Sequence, residues 1–390
     1  MAAAVRARQV STMNKMLKKI GLTAVLAALV TPLAGYGLSI SGVNNESRSF
    51  APAQGEQFAL NYHIDTQANV TINIYDARDL LIKTEYREQL AAGDHQWQWD
   101  GTDQQGRPVP AEAYHYTISA TAGEQTAEYD LTDITGGESV AVNDLSWNAE
   151  QGSVDYTLPQ MARVAIRVGL KNNGPLLNNI IDWVPRASGQ QKEAWDGQDA
   201  SGALNLKGHP ALELILNAFA LPRNTILVTG DKSSSDSRFV QDMPWGQSPR
   251  EKKKSHRPRI HAPAQRDALS RGDFPLEISL VGDYPKNSEG TPIVSGTVPV
   301  RINVQPEHIA QLASKRFEPV YFVDGQYVYE NEVGYFPTTY RWDSRNHNPG
   351  EHYLTVNLRG YLGNFGMATL KVVIEKPQTE GSANTLAHKD

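Results

Sequence analysis

The chain has 390 residues, 40% of them hydrophobic, a formal net charge of −6 and no cysteine. That size and hydrophobic share suit two to three domains with a core each, while the mild acidity leaves no footprint for nucleic acid, which is marked by a strongly basic domain. The lack of cysteine excludes disulfides, thiol catalysis, cysteine zinc sites, iron–sulfur clusters and thioether-linked haem.

At the N-terminus Lys15, Lys18 and Lys19 precede an apolar run over residues 20–30, and the small residues Ala34, Gly35 and Gly37 follow. A positive start, a short apolar run and a small-residue exit are the pattern of a secretory signal. The run is too short for a membrane span, which needs about 20 apolar residues. Residues 1–37 are therefore expected to be a signal peptide with an N-terminal extension. The mature chain is expected in the periplasm, on the outer surface or outside the cell. No later stretch has the length and apolarity of a membrane helix, so no integral segment is expected in the mature protein.

The mature chain reads as β-rich. Phe58, Leu60, Tyr62 and Ile64 alternate with polar residues over 57–64, and Val70, Ile72 and Ile74 do so over 69–76. Period-two alternation marks a strand with one buried face. His95-Gln-Trp97-Gln-Trp99 puts two tryptophans on one face, and a fourth run covers residues 113–120. Gly93-Asp94, Asp100-Gly101 and Gly106 punctuate these runs as turns. Several short strands at this spacing predict a sandwich or barrel. The best helix candidate is short, residues 307–314 after Pro306.

The pattern then recurs. Trp99-Asp100-Gly101-Thr-Asp103-Gln-Gln-Gly106 returns 96 residues later as Trp195-Asp196-Gly197-Gln-Asp199-Ala-Ser-Gly202, and Trp342-Asp343 gives a looser third copy. Recurrence at domain-sized spacing predicts duplicated units. The expected division is 38–130, 131–230 and 273–376, with strand-like residues 225–229 assigned to the second unit. Between the second and third, residues 231–272 are rich in Ser, Pro, Lys and Arg, with a basic centre at 250–259. Such a composition buries too little surface to offset ordering entropy, so a linker is expected there, and a disordered tail over 377–390.

The Trp-Asp-Gly-x-Asp-x-x-Gly element between strands resembles the immunoglobulin-like domain of the flagellar hook-cap protein, a module found in many bacterial surface and secreted proteins. In the first unit the resemblance takes in Gly55-Glu56, the strand at 70–75, Gly93 to Gly106 and Pro108-Val109-Pro110. The second unit departs by what reads as an insertion over 171–185 and by residues 205–210 in place of a simple turn. The resemblance implies an all-β chain of two to three immunoglobulin-like sandwiches; the module serves many proteins as spacer or binding platform, so it leaves function open.

The chemistry-bearing patterns read as structural. Asp100, Asp103, Asp196 and Asp199 are clustered carboxylates of the kind calcium takes, but each loop offers only two, and Asx turns account for them. Trp97, Trp99 and Trp195 alternate as core residues do; exposed, they would stack on sugars. His256 and His261 lack the spacing of a metal pair. Glu330 and Glu332, expected on one strand face after a turn at Asp324-Gly325, read as a solvent-exposed edge rather than a hydrolase carboxylate pair. No cofactor, metal or catalytic residue is assigned. The expected role is a non-catalytic exported scaffold that binds another envelope or surface protein. Its contacts are expected at Lys171, Asn172, Asn173, Lys252, Lys253, Lys254, Arg257 and Arg259, because loops on a rigid sandwich are where such folds bind. The alternatives are a carbohydrate- or wall-binding module, or an accessory subunit of a larger secretion or electron-transfer complex.

Overall fold

The computed structural model describes residues 37–77, 79–131, 138–230, 273–313, 316–360 and 363–375. Apart from Gly37, the expected signal peptide lies outside these residues, as do the basic linker and the C-terminal tail. The chain is all-β, as expected. Among the described residues no helix is long and apolar enough to cross a membrane.

The first sandwich contains β1 (Ile40–Asn44), β2 (Ser49–Phe50), β3 (Phe58–Ile64), β4 (Ala68–Tyr75), β5 (Leu81–Leu90), β6 (Gly93–Trp99), β7 (Ala113–Ala122) and β8 (Gln125–Tyr129). One sheet has the order β1-β3-β6, and the other contains β7-β4-β5. Every second side chain of β3 and most of β4 is buried, as their alternation requires. Phe58, Leu60, Tyr62 and Ile64 meet Val70, Ile72 and Ile74 in one core that also takes Trp97 and Trp99.

The second sandwich contains β9 (Ser146–Asn148), β10 (Ser153–Leu158), β11 (Ala162–Leu170), β12 (Leu176–Arg186), β13 (Gly189–Ala194) and β14 (Leu212–Ala220). Its sheets are β13-β10-β9 and β12-β11-β14, repeating the central pairings of the first around a separate core. Strand β15 (Thr225–Val228) follows but does not join it. It pairs antiparallel with Ala113–His115 of β7 and parallel with β2. The assignment of residues 225–229 to the second unit is thus corrected.

The reason is visible along β7. Strand β8 covers Ile118–Ala122 of the β7 edge, β15 covers Ala113–His115, and Asn224 bridges the gap. Its carbonyl accepts from Tyr116 N at 3.1 Å, and its Nδ2 donates to Tyr116 O at 2.8 Å. The last strand of the first sandwich is therefore split in two, and the second sandwich is spliced between the halves. Ile226 and Val228 enter the first core. A closed edge and buried aliphatics hold the returning segment where its position in sequence does not.

The third sandwich shows the unsplit version. It contains β16 (Leu276–Leu280), β17 (Ile293–Val294), β18 (Thr297–Val304), helix α1 (Pro306–Ala313), β19 (Phe317–Val323), β20 (Gln326–Glu330), β21 (Thr338–Asp343), β22 (Gly350–Gly360) and β23 (Phe365–Ile374). Its sheets are β16-β18-β21 and β17-β23-β22-β19-β20. Here β23 runs along the whole of β22 and pairs parallel with β17, as β15 does with β2. The described residues from Leu38 onward make up one compact unit.

Candidate contact surfaces

The repeated turns are folding devices. Trp99 is buried and its Nε1 donates to Thr102 O at 2.8 Å; Trp195 repeats this with Gln198 O at 2.9 Å. Asp100 and Asp196 each accept from the amide two residues on. Asp103 Oδ1 accepts from the amides of Gln105 and Arg107, and its Oδ2 accepts from Arg107 Nε. Burial pushes the Asp103 carboxyl up, but those bonds outweigh it and hold the group below its ordinary value. Asp199 accepts from the amides of Ser201 and Leu204. Carboxylates spent this way are Asx-turn caps. Among the described residues no three acidic or histidine side chains converge as metal ligands.

The third sandwich carries the same loop in a place the Trp-Asp register did not point to. Asn287 Oδ1 accepts from the amides of Glu289 and Thr291, Gly290 N donates to Asn287 O, and Lys286 bridges to Pro292. Asn287-x-x-Gly290-x-Pro292 thus matches Asp103-x-x-Gly106-x-Pro108, but it precedes β17 instead of following the tryptophan strand. The signal was present as an Asn for Asp exchange in a shuffled order.

Lys171, Asn172 and Asn173 form an exposed turn, with both asparagines left-handed at φ of 61° and 62°. The rest of the supposed insertion, residues 171–185, is corrected: most of it is β12, the counterpart of β5. Three register shifts against β11 break its alternation. A bulged strand turns successive residues to unexpected faces, so period two does not reveal it. Residues 250–259, with Lys252, Lys253, Lys254, Arg257 and Arg259, lie outside the described residues.

The turn stands beside the joint between the second and third sandwiches. Leu176 N donates to Asn357 Oδ1 and Asn357 Nδ2 donates to Leu176 O, both at 2.7 Å. Thr369 N donates to Ser201 Oγ at 2.9 Å, so the second Asp-x-x-Gly turn rests on β23. Arg167 holds Asp273 through two bonds of 2.8 and 2.7 Å and lies 4.7 Å from the Phe365 ring centre. Asp273 N donates to Asp182 Oδ2 at 2.7 Å. A cleft of about 1040 Å³ opens here, lined by Asn179, Asp182, Asp273, Glu277 and Met367 among others. Burial, and then the neighbouring Asp273 carboxylate, push Asp182 up to about 7. Burial also raises Asp273, with Arg167 opposing.

The joint between the first and second sandwiches is built on a buried ion pair and a small apolar cluster. Arg163 Nη2 donates to Glu112 Oε1 at 2.6 Å with both side chains 2% exposed, and Ala113, Met161, Leu221 and Leu227 pack beside them. A buried pair of this kind penalises wrong geometry more than it adds net stability.

The tryptophans offer no sugar platform among the described residues: Trp97, Trp99, Trp183, Trp195 and Trp342 are buried and Trp147 is half-buried against Trp195. The β19–β20 hairpin turns at Asp324-Gly325 as expected. Its second strand ends at Glu330, however, so Glu332 lies in the following loop and the two glutamates do not share a strand face. Sequence reasoning passed over the tyrosines here. Tyr321, Tyr340 and Tyr329 form a ladder with 4.6 Å between the last two rings, parallel to 4°, while Tyr327 and Tyr335 stand 55% and 66% exposed.

Residues 47–124 match the family model described as the FlgD Ig-like domain. The match runs from β2 past β7 and stops before the split strand. No curated protein matches the chain. Among solved structures, FlgD from P. aeruginosa is 20% identical over 24% of this chain and 63% of its own, with a TM-score of 0.19. This chain therefore spans less than two thirds of that protein's length. Fibronectin(III)-like modules of CbhA from Clostridium thermocellum are 13% identical over 26% of this chain and 100% of theirs, at 0.19. A structure concerning host cell surface retention of a 1.5-MDa bacterial ice-binding adhesin is 11% identical over 87% of this chain and 98% of its own, at 0.18. At such TM-scores these likenesses carry no functional argument. What stands is a chain of β-sandwiches, the first of which matches the FlgD Ig-like domain model over residues 47–124.

Proposed function

We propose that the chain is an exported, non-catalytic scaffold of the cell envelope or surface that binds another protein through its loops and edges. The reading is carried by one observation: among the described residues the tryptophans and the carboxylates of the Asp-Gly turns are consumed by cores and turn caps, and the described surface keeps turns and edge strands. The N-terminal pattern of residues 1–37 supports export. The turn Lys171-Asn172-Asn173 and the basic residues Lys252, Lys253, Lys254, Arg257 and Arg259 are the proposed contacts, the first placed beside a clamped joint and so held in orientation.

The test is in-cell cross-linking of the tagged full-length chain followed by affinity capture and mass spectrometry. The expected result is one dominant envelope partner cross-linked through Lys171 or Lys252 to Lys254. Polysaccharide co-purifying with no protein partner would overturn the reading.

A further inference from the structure

Five large hydrophobic side chains are exposed among the described residues, and four of them, Tyr327, Tyr329, Val333 and Tyr335, fall within nine positions of the third sandwich. They sit on β20 and in the loop that follows it. Strand β20 ends its sheet, so among the described residues one of its two edges has no strand paired to it, and β21 ends the facing sheet. The Tyr329–Tyr340 stack spans that open side between the two sheets. Natural edge strands are blunted by lysine, proline or strong bulging. Gln326-Tyr-Val-Tyr-Glu330 has neither lysine nor proline; its one irregularity is a single-residue bulge at Val328, which sets Tyr329 beside core-facing Tyr321 and Tyr327 beside Phe322 on the other face.

Charge decides what such an edge accepts. Residues 317–340 contain Glu318, Asp324, Glu330 and Glu332 and no lysine or arginine. Asp324 is engaged by His352 Nδ1 at 2.6 Å and by Tyr353 N, while Glu318, Glu330 and Glu332 are exposed. Two copies meeting at this edge would bring together two stretches that each carry Glu318, Glu330 and Glu332 and no cation, a juxtaposition of like charge that is unfavourable. A cationic strand meets the opposite situation: ring faces attract ammonium and guanidinium groups, and carboxylates flank them.

We infer that β20 and the loop 331–337 form a docking edge for an extended, Lys/Arg-bearing segment of a partner protein, which adds a strand to the five-stranded sheet. Backbone bonds to β20 supply the pairing; side chains of the segment lie over Tyr329 on one face and Tyr327 on the other, with Glu330 and Glu332 at the end of the edge. The inference rests on the scaffold reading but fails separately from it. A partner captured through residues 171–173 or 250–259 bears on the scaffold reading, whereas the measurement below reads β20 and decides the edge alone.

The probe is a fluorescein-labelled twelve-residue peptide of alternating Lys and Thr, titrated into the full chain and followed by anisotropy, with hydrogen exchange read on residues 326–330. Saturable binding is expected, with slowed exchange in β20 and weakening as salt shortens the screening length. Tyr327→Ala combined with Glu330→Gln and Glu332→Gln is expected to weaken it about tenfold or more, and Tyr86→Ala, at the remaining exposed tyrosine in that set, to leave it unchanged. The substituted side chains are exposed, so these variants fold as the parent does. The inference is overturned by equal binding of a Glu/Thr peptide, by binding that ignores the triple variant, by no binding, or by a neutral linear glucan hexasaccharide protecting β20 in the peptide's place.

Discussion

At the residue scale, the turn glycines separate backbone strain from crowding. Gly101 and Gly106 share a φ of +76°, but a Cβ on Gly101 would collide with Pro52, while one on Gly106 meets nothing within 4 Å. A non-glycine residue in the left-handed region costs about 1 kcal/mol. Gly106→Ala is expected to cost about that, and Gly101→Ala roughly 2–4 kcal/mol once the collision is added. Urea denaturation followed by tryptophan fluorescence checks the difference; equal losses would mean that Pro52 moves aside freely. The tryptophan, both aspartates and both glycines of each copy of the motif were legible in the sequence, because a turn's chemistry is local: each cap is bonded to an amide two to five residues away.

At the element scale, β15 belongs to a sandwich whose preceding strand ends nearly a hundred residues earlier. Ile226→Ala removes a fully buried side chain from the first core, and such truncations cost about 2–5 kcal/mol. The expected consequence is faster amide exchange in Ala113–His115 of β7 and earlier exposure of Trp97 and Trp99, with β14 of the second sandwich little changed. Loss of protection over β14 instead would assign the strand to the second sandwich. Nothing in residues 225–228 announces this destination. A four-residue apolar strand fits any sheet with an open edge, and only the space left beside β8 selects one. Strand β12 was hidden for another reason: its bulges scramble the alternation that betrayed β3 and β4.

At the scale of the whole molecule, the joint between the second and third sandwiches should respond to pH. Asp182 is raised to about 7 by burial and by Asp273, whereas in the unfolded chain it releases its proton in the ordinary carboxylate range. Between about pH 4 and pH 7 the native state therefore holds more protons than the unfolded one, so this group's contribution to stability falls as pH rises through that window and is level above it. Asp182→Asn cannot ionise and is expected to flatten the slope, leaving the variant more stable than the parent at about pH 8 and close to it at about pH 4. Urea titrations at the two pH values decide it; an unchanged slope would show that Asp182 stays charged and solvated in the joint. Arg167 pairs with Asp273 at 2.7 Å in the same joint, a tie that does not involve the Asp182 carboxyl.

The sequence by itself determined the all-β class, the alternation of the core strands and the Trp-Asp-Gly turns, because these depend on side-chain periodicity and on bonds between near neighbours. It also pointed to three related units through a motif repeated at domain spacing. Tertiary structure alone decided that the second sandwich is spliced into the last strand of the first, that Lys171-Asn172-Asn173 stands beside a joint, and that Asp182, Asp273 and Arg167 converge there. It also decided that the exposed tyrosines gather on one open edge. Those outcomes depend on contacts between residues far apart in the chain, and no local pattern encodes which distant edge or carboxylate a segment will meet.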